Sequence, residues 1–198
     1  MRPKNLEKEQ AIKDVALQII AEEGLENLSM QRLAKDANIS PRTIYIKYDS
    51  KEDLLVKLFV EEVVAAYERA VLKDFTVDME FAEGVEKLWL NGFRYLKGNK
   101  HAFVLMQYGK SSPLLHKAYQ QKGIVQGQFF APIHQFLKRH VAAGTIQNLP
   151  YDVQRAVLFA PLPELVNEYF DHQQRPKQII TEKVVMACCK MVIKGMLK

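Results

Sequence analysis

The chain has 198 residues, of which 48% are hydrophobic and 26% are charged. These proportions are typical of a soluble globular protein, and the length allows a domain of ordinary size together with a small one. No apolar run is long enough to span a bilayer, and the polar N-terminus lacks the apolar segment of a secretory signal. We therefore expect a cytoplasmic protein that has no membrane partner.

The net charge of +5 does not by itself predict a nucleic-acid partner, because of where the charges lie. Residues 1–60 contain ten basic and ten acidic side chains, whereas residues 61–198 contain eighteen basic and thirteen acidic ones. Any contact with DNA in the first third of the chain must therefore depend on the placement of individual cations.

The first predicted helix covers residues 6–23, where the aliphatic residues between Ile12 and Ile20 form an apolar stripe. Gly24 ends this helix. Residues 1–5 precede it as a short basic arm, for which two interpretations remain open: a disordered terminus or a contact with DNA phosphates.

The segment from Ser29 to Lys51 predicts two short helices joined by a tight turn, with a third helix directly behind. Ser29 is suited to cap the first helix, and Asn38 tolerates the left-handed backbone conformation that a sharp turn requires. Ser40 and Pro41 then restart the chain as the cap and the first residue of the second helix. Ser50 caps the third helix in the same way.

Two short helices that meet at a steep angle form a helix-turn-helix, whose second helix places its first-turn side chains against base edges in the major groove. Here the second helix begins with Arg42 and Thr43, while Ile44 and Tyr48, four residues apart, share its buried side. An ordinary helical hairpin inside an all-α core is the alternative interpretation.

The run ISPRTIYIKYDSKEDLL resembles the signature of the TetR family of bacterial transcriptional regulators (TetR/AcrR-like). The matching residues are Ile39, Ser40, Thr43, Ile44, Tyr45, Tyr48, Ser50, Lys51, Glu52 and Leu54. The family usually has Gly where Asn38 stands, and Asn adopts the same backbone geometry at modest cost. The resemblance implies an all-α fold of about nine helices. A three-helix DNA-binding domain (residues 1–50, helix-turn-helix at 29–48) precedes a larger helical ligand-binding and dimerisation domain (residues 51–198).

The resemblance also implies roles for individual side chains at the DNA. The positions where the family contacts phosphates are matched by Ser29, Tyr45 and Lys51. The positions at or beside the bases are matched by Gln31, Pro41, Arg42, Thr43 and Lys47. The candidate set is completed by Ser40 and Tyr48. Arg42 stands at a position that is often small in the family, and an Arg can bind guanine through two hydrogen bonds.

Behind this motif the sequence predicts helices at about 51–73, 78–97, 101–108, 114–143, 151–171 and 176–198. Pro132 predicts a kink or break near residues 129–132, and Pro161 with Pro163 predicts another around residues 160–163. No stretch shows a convincing strand pattern.

The resemblance implies that these helices hold an inducer pocket and a dimer interface. The pocket candidates are mostly aromatic: Trp89, Phe93, Phe103, Met106, Tyr108, Tyr119, Phe130 and His134. For each of them, plain core packing is the alternative. The last helix carries a seam of apolar and small residues, which we expect at a two-fold interface. The seam consists of Ile180, Val184, Cys188, Met191 and Gly195.

No acidic residue lies between Glu86 and Asp152, whereas this segment carries nine Lys or Arg side chains. The pattern predicts either a solvated basic face or a pocket mouth that attracts an anionic or amphipathic inducer.

The sequence contains no phosphate-binding glycine loop, nucleophile elbow or zinc-ligand spacing. We therefore expect neither an enzyme nor a metal or other cofactor. Two functional hypotheses remain. In the first, the chain is a repressor that binds a palindromic DNA operator as a homodimer and is released by a small molecule. In the second, an all-α module of the same fold acts through protein or lipid partners. The polar and basic residues gathered on the helix-turn-helix favour the first.

Overall fold

The computed structural model describes residues 3–113, 129–173 and 175–198. Within these ranges the regular structure is helical apart from one bridge pair, Ile146 with Leu197, which confirms the all-α prediction. The first helices are α1 (Pro3–Glu23), a 3-10 turn (Leu25–Asn27), α2 (Met30–Asp36), α3 (Pro41–Lys47) and α4 (Lys51–Lys57). They are followed by a π-helical segment (Leu58–Val64), α5 (Ala65–Val71), α6 (Phe81–Gly98) and α7 (Lys100–Ser111). The remaining helices are α8 (Ala131–Ala142), α9 (Tyr151–Phe159), α10 (Pro161–Asp171) and α11 (Glu182–Met196).

The chain forms two compact units. The first consists of Met1–Ala66 with Asn99–Val125, and the second of Tyr67–Gly98 with Gln126–Lys198. This division does not coincide with the boundary expected after residue 50, because α7 packs against both α1 and the π-helical segment. None of the helices in the described ranges combines the length and the apolar character needed to cross a membrane.

The core of the first unit is built on the apolar stripe of α1. Ile12, Ala16 and Ile20 are fully buried, as the spacing predicts, although the helix begins at Pro3 and not at residue 6. Phe59 of the π-helical segment lies against α7 at Gly109, where a Cβ atom would stand 2.2 Å from the ring. Only glycine leaves room for this approach. Each large apolar side chain buried in this core contributes about 1.5–3 kcal/mol to the free energy of unfolding, relative to an exposed one.

The helix predicted over residues 51–73 is present as α4, the π-helical segment and α5, which follow one another without a break. The sequence did not predict the π-helical stretch in its middle. Segments of this kind are rare and most often occur as single turns inside α-helices.

The core of the second unit is built on α6, which packs against α10 and α11. The apolar face of this helix is buried, including Phe81, Trp89 and Phe93. The indole N–H of Trp89 donates to the carbonyl of Leu158 at 2.8 Å, so the buried polar atom of this side chain is satisfied.

Both helix breaks predicted from proline are confirmed. Helix α8 begins at Ala131 with Pro132 in its first turn, and Phe130 before it has a left-handed backbone with φ of 62°. Helix α9 ends at Phe159, and α10 begins at Pro161. The predicted helical stretch before residue 129 lies largely outside the described residues.

The prediction that the last helix opens at Pro176 is wrong, because α11 begins at Glu182. Its cap is Thr181, whose hydroxyl accepts the N–H of Val184 at 3.4 Å. The side chain of Gln178 donates to the carbonyl of Tyr169 at 2.9 Å and accepts the N–H of Ile180 at 2.8 Å. These bonds hold residues 178–180 outside the helix.

Candidate nucleic-acid interface

Serine side chains cap α2, α3 and α4 as predicted. The hydroxyl of Ser29 accepts the N–H of Arg32 at 3.2 Å, and that of Ser40 accepts the N–H of Thr43 at 3.3 Å. Ser50 does the same for α4 at 3.1 Å. Each cap of this kind contributes about 1 kcal/mol to helix stability.

The corner between α2 and α3 is a left-handed turn at Asn38, with φ of 53°. The next N–H, that of Ile39, donates to the carbonyl of Ala34 at 2.9 Å, and the Ile39 side chain packs against the core. The predicted geometry of the turn is therefore confirmed, and α3 leaves it in a defined direction.

The two sides of α3 differ sharply in exposure. Ile44 and Tyr48 are buried, as predicted. Arg42 is exposed on the other side, together with Tyr45 at 51% and Ile46 at 76% of their full surfaces. Ser29, Gln31 and Pro41 are exposed as well, and Thr43 is half-buried with its hydroxyl 2.8 Å from that of Ser40.

Tyr48 cannot contact DNA as the candidate set proposed, because only 4% of its surface is exposed. Burial raises the pKa of its hydroxyl to about 12. The ammonium group of Lys57 lies 5.3 Å from the centre of its ring. Tyr48 therefore supports α3 from inside the first unit.

Three of the five cations between residues 29 and 51 have partners within the protein. The ammonium of Lys47 binds the carboxylate of Glu9, and that of Lys51 donates to the carbonyl of Leu25 at 2.9 Å. The guanidinium of Arg32 binds Glu23 at 2.8 Å and Asp36 at 3.2 Å. The other two, Lys35 and Arg42, are exposed and form no ion pair within the described residues.

A chain of charges joins α3 to its neighbours. Glu9 of α1 binds both Lys47 and Lys13, and Lys13 binds Glu62 of the π-helical segment at 2.6 Å. Hydrogen bonds from the two lysines hold the pKa of Glu9 below its usual value. Lys57 completes the arrangement by donating to the carbonyl of Lys47 at 3.0 Å. The network surrounds a cleft of about 200 Å³ and ties the end of α3 to α1 and α4.

The predicted pocket residues are divided between the two units. Met106 and Tyr108 pack against the core of the first unit, and Phe103 is buried in the same unit. Trp89 and Phe93 are core residues of the second. In the second unit, Phe130 is half-buried, and His134 is exposed with its ring 4.2 Å from that of Tyr151. Tyr119 lies outside the described residues.

The second unit contains an aromatic cluster that the sequence did not predict. The ring of Tyr67 lies 5.7 Å from that of Tyr95 and 5.9 Å from that of Phe130. Burial raises the pKa of both tyrosines. The spacing of Tyr67, four residues from Val63 and from Val71, places it on the apolar side of its predicted helix and could have identified it.

Several cations of the predicted basic segment are bound by other groups of the second unit. Arg94 binds Glu182 at 2.7 Å, and Lys97 binds the same carboxylate at 3.1 Å. The guanidinium of Arg139 donates to the carbonyl of Val77 at 2.9 Å and also to that of Met79. These three cations serve contacts inside the second unit.

Four residues of the predicted seam lie on the outward side of α11. Val184 is 42% and Met191 is 68% exposed; Gly195 is exposed and Cys188 half-buried. Ile180 departs from the prediction, because it precedes α11 and is buried. Cys189 faces inward, and burial raises the pKa of its thiol to about 12. Among the described residues no group of three His, Cys, Asp or Glu side chains could hold a metal ion.

Residues 12–58 match the sequence model of a family described as bacterial regulatory proteins, tetR family. An uncharacterized HTH-type transcriptional regulator of Haemophilus influenzae is 36% identical over 81 residues, which are 41% of this chain and only 43% of that protein. The fatty acid metabolism regulator protein of Bacillus subtilis is 27% identical over 178 residues, which are 88% of this chain and 87% of that protein.

Two crystal structures show the same fold. A TetR family transcription regulator from Marinobacter aquaeolei superimposes with a TM-score of 0.80 and 21% identity over 100% of both chains. The transcriptional regulator FadR from Bacillus subtilis, in complex with stearoyl-CoA, gives a TM-score of 0.69 and 18% identity. This match covers 95% of the present chain and 99% of FadR.

The lowered pKa of Glu9 predicts how the charge network responds to pH. Ionised Glu9 stabilises the folded protein above its unfolded pKa of about 4.5, and this contribution is lost as the pH falls through the lower folded value. We expect Glu9→Gln to lower the free energy of unfolding at pH 7 by on the order of 1 kcal/mol, and the difference to shrink towards pH 3. Urea unfolding at several pH values measures this. Glu7→Gln, an exposed position on α1, is the control, and a difference that is the same at every pH would contradict the prediction.

Proposed function

Because the chain belongs to the TetR family of bacterial regulatory proteins, we propose that it is a transcriptional repressor. It binds a palindromic operator as a homodimer in the cytoplasm, and a small molecule releases it. The observation that carries this proposal is the exposed side of α3, which offers Arg42, Tyr45 and Ile46 beside a fixed turn. The matched range, residues 12–58, covers most of α1 and all of α2, α3 and α4.

The exposed side chains among the candidates support a division of the DNA contacts between phosphates and bases. Thr43 and Lys51 are half-buried and are assigned by the family resemblance, and the Lys51 ammonium leaves the carbonyl of Leu25 to reach a phosphate. We assign phosphate contacts to the residues at the helix starts and flank: Ser29, Tyr45 and Lys51. Base contacts fall to the residues around the start of α3 and on α2: Gln31, Pro41, Arg42 and Thr43. The ion pair of Lys47 with Glu9 of α1 positions α3 from its protein side. Ser40 caps the start of α3.

The assignment of Arg42 is tested with an operator selected from random duplexes. If its guanidinium binds a guanine in each half-site, Arg42→Ala costs on the order of 1–3 kcal/mol at that base pair and relaxes the sequence preference there. The measurement is binding to the selected operator, to single-base variants and to random duplex across a range of salt concentrations.

Lys35→Ala is the matched control, since Lys35 is the other exposed cation without an ion pair in the described part of the motif. Lys35→Ala should weaken binding to all duplexes alike. The slope of the logarithm of the binding constant against the logarithm of the salt concentration should flatten by about one for each lost phosphate contact. Equal weakening of operator and random DNA by Arg42→Ala would make Arg42 a phosphate contact. Absence of salt-dependent binding to any duplex would instead favour the module that acts through protein or lipid partners.

The outward seam of α11 supports a two-fold dimer through the last helices. Val184 and Met191 expose 42% and 68% of their surfaces in the single chain, so the seam presents more than one apolar side chain on the same side of the helix. In a two-fold interface the same seam lies against itself, so a charge introduced there meets its own copy.

We expect Met191→Glu to separate the dimer into single chains of 22.8 kDa, because it would bury two like charges close together. Sedimentation velocity measures the mass. Lys190→Glu, an exposed neighbour roughly a third of a turn away on the same helix, controls for the added negative charge. A dimer that survives Met191→Glu would place the interface elsewhere.

For the ligand we propose an amphipathic anion of the acyl-coenzyme A type. FadR, whose structure contains stearoyl-CoA, has the same fold along nearly the whole chain. The aromatic cluster of Tyr67, Tyr95 and Phe130 offers an apolar surface in the second unit. The absence of acidic residues between Glu86 and Asp152 favours an anion over a cation, although Arg94, Lys97 and Arg139 are already engaged.

A comparison of ligands that differ in charge tests this proposal. Stearoyl-CoA, free coenzyme A and a cationic amphiphile of equal chain length are added below their micelle concentrations. Stearoyl-CoA alone should raise the melting temperature and release the operator, since binding at a hundredfold excess over Kd stabilises a protein by about 2.7 kcal/mol. Stabilisation by the cation alone, with release of DNA, would contradict the proposal.

A further inference from the structure

Ile46 is the most exposed large hydrophobic side chain in the described part of the chain, at 76% of its full surface. Ile44 and Tyr48 on either side of it face the core, so residue 46 points to the opposite side of α3. Helix stability does not account for an isoleucine there, because a β-branched side chain slightly lowers helix propensity.

The neighbours of Ile46 determine which groups the exposed side of α3 can bind. Arg42 lies four residues before it and Thr43 three residues before it, so all three are adjacent on one side of the helix. Tyr45, half-exposed, flanks them. Lys47 does not share this surface, since its ammonium group is turned to Glu9 of α1. The exposed side of α3 therefore combines one cation with an apolar patch centred on Ile46.

We propose that Ile46 reads a thymine by packing against its C5-methyl group. The inference rests on the proposed function, because it requires α3 in the major groove. Phosphates and most base edges are polar, and the thymine methyl is the one apolar group that a base pair presents in that groove. Single exposed apolar residues are common on protein surfaces. This one occupies the side of α3 that carries Arg42, where a base edge is the expected partner.

The spacing along α3 relates this thymine to the base read by Arg42. Four residues of α-helix rise about 6 Å. Arg42 and Ile46 therefore reach base pairs that belong to the same half-site, and the operator carries the thymine within a few base pairs of the position that Arg42 reads.

Removal of single methyl groups from the DNA tests the contact directly. In the operator selected from random duplexes, each thymine is replaced in turn by deoxyuridine, which keeps every hydrogen-bonding group and removes only the methyl. At one thymine in each half-site, the wild-type chain should lose about fourfold in affinity per half-site, the effect of burying one methyl group. Ile46→Ala should bind the thymine and deoxyuridine operators equally at that position.

Lys35→Ala is the control variant, because it removes an exposed cation and should keep the wild-type response to deoxyuridine. Circular dichroism and a melting curve confirm that Ile46→Ala is folded, as expected for a side chain that is largely exposed. An Ile46→Ala variant that keeps the response to deoxyuridine would assign the methyl contact to another residue and overturn the inference.

The outcomes separate this inference from the function on which it rests. If selection enriches an operator but none of its thymines responds to deoxyuridine, the inference fails and the proposed function stands. If selection enriches no sequence at all, both fail.

Discussion

Helix α3 has only seven residues, and a helix of this length is not stable in water by itself. It exists because Ile44 and Tyr48 are buried beneath it and because both of its ends are held. Ser40 satisfies an N–H at its start, and Lys57 donates to a carbonyl at its end. Every exposed side chain of α3 is thus placed by residues that lie behind it in the first unit.

The equal numbers of acidic and basic residues in residues 1–60 fit the need to hold α3 in place. Glu9 forms ion pairs with Lys47 and Lys13. Glu23 forms one with Arg32, so these acidic side chains hold cations within the first unit. The positive charge left exposed on the motif is small and local, at Lys35 and Arg42. A regulator built in this way depends on the position of a few groups on the motif more than on the motif's bulk charge.

Features encoded over a few residues could be predicted from the sequence. Ser29, Ser40 and Ser50 cap the helices they precede, Asn38 takes the left-handed turn, and prolines mark both helix breaks. Such signals act through backbone groups within one helical turn, so a short window contains all of the relevant chemistry.

Features that depend on distant partners could not be predicted in this way. Lys47 looked like a DNA contact because its partner Glu9 lies 38 residues earlier. Arg94 and Lys97 looked like part of a free basic surface, although Glu182 binds both across more than 80 residues. The start of α11 was misplaced because a Gln178 side chain bonded to the chain at Tyr169 leaves no local signal.

The two adjacent cysteines, Cys188 and Cys189, give the chain a site for selective thiol labelling. Cys189 is buried, and its raised pKa keeps the thiol protonated and unreactive, whereas Cys188 lies half-buried on the outward seam. With no other cysteine in the sequence, a thiol-reactive probe attaches at residue 188 without any engineering of the chain. The rate of that alkylation reports directly on whether the seam is open to solvent or covered.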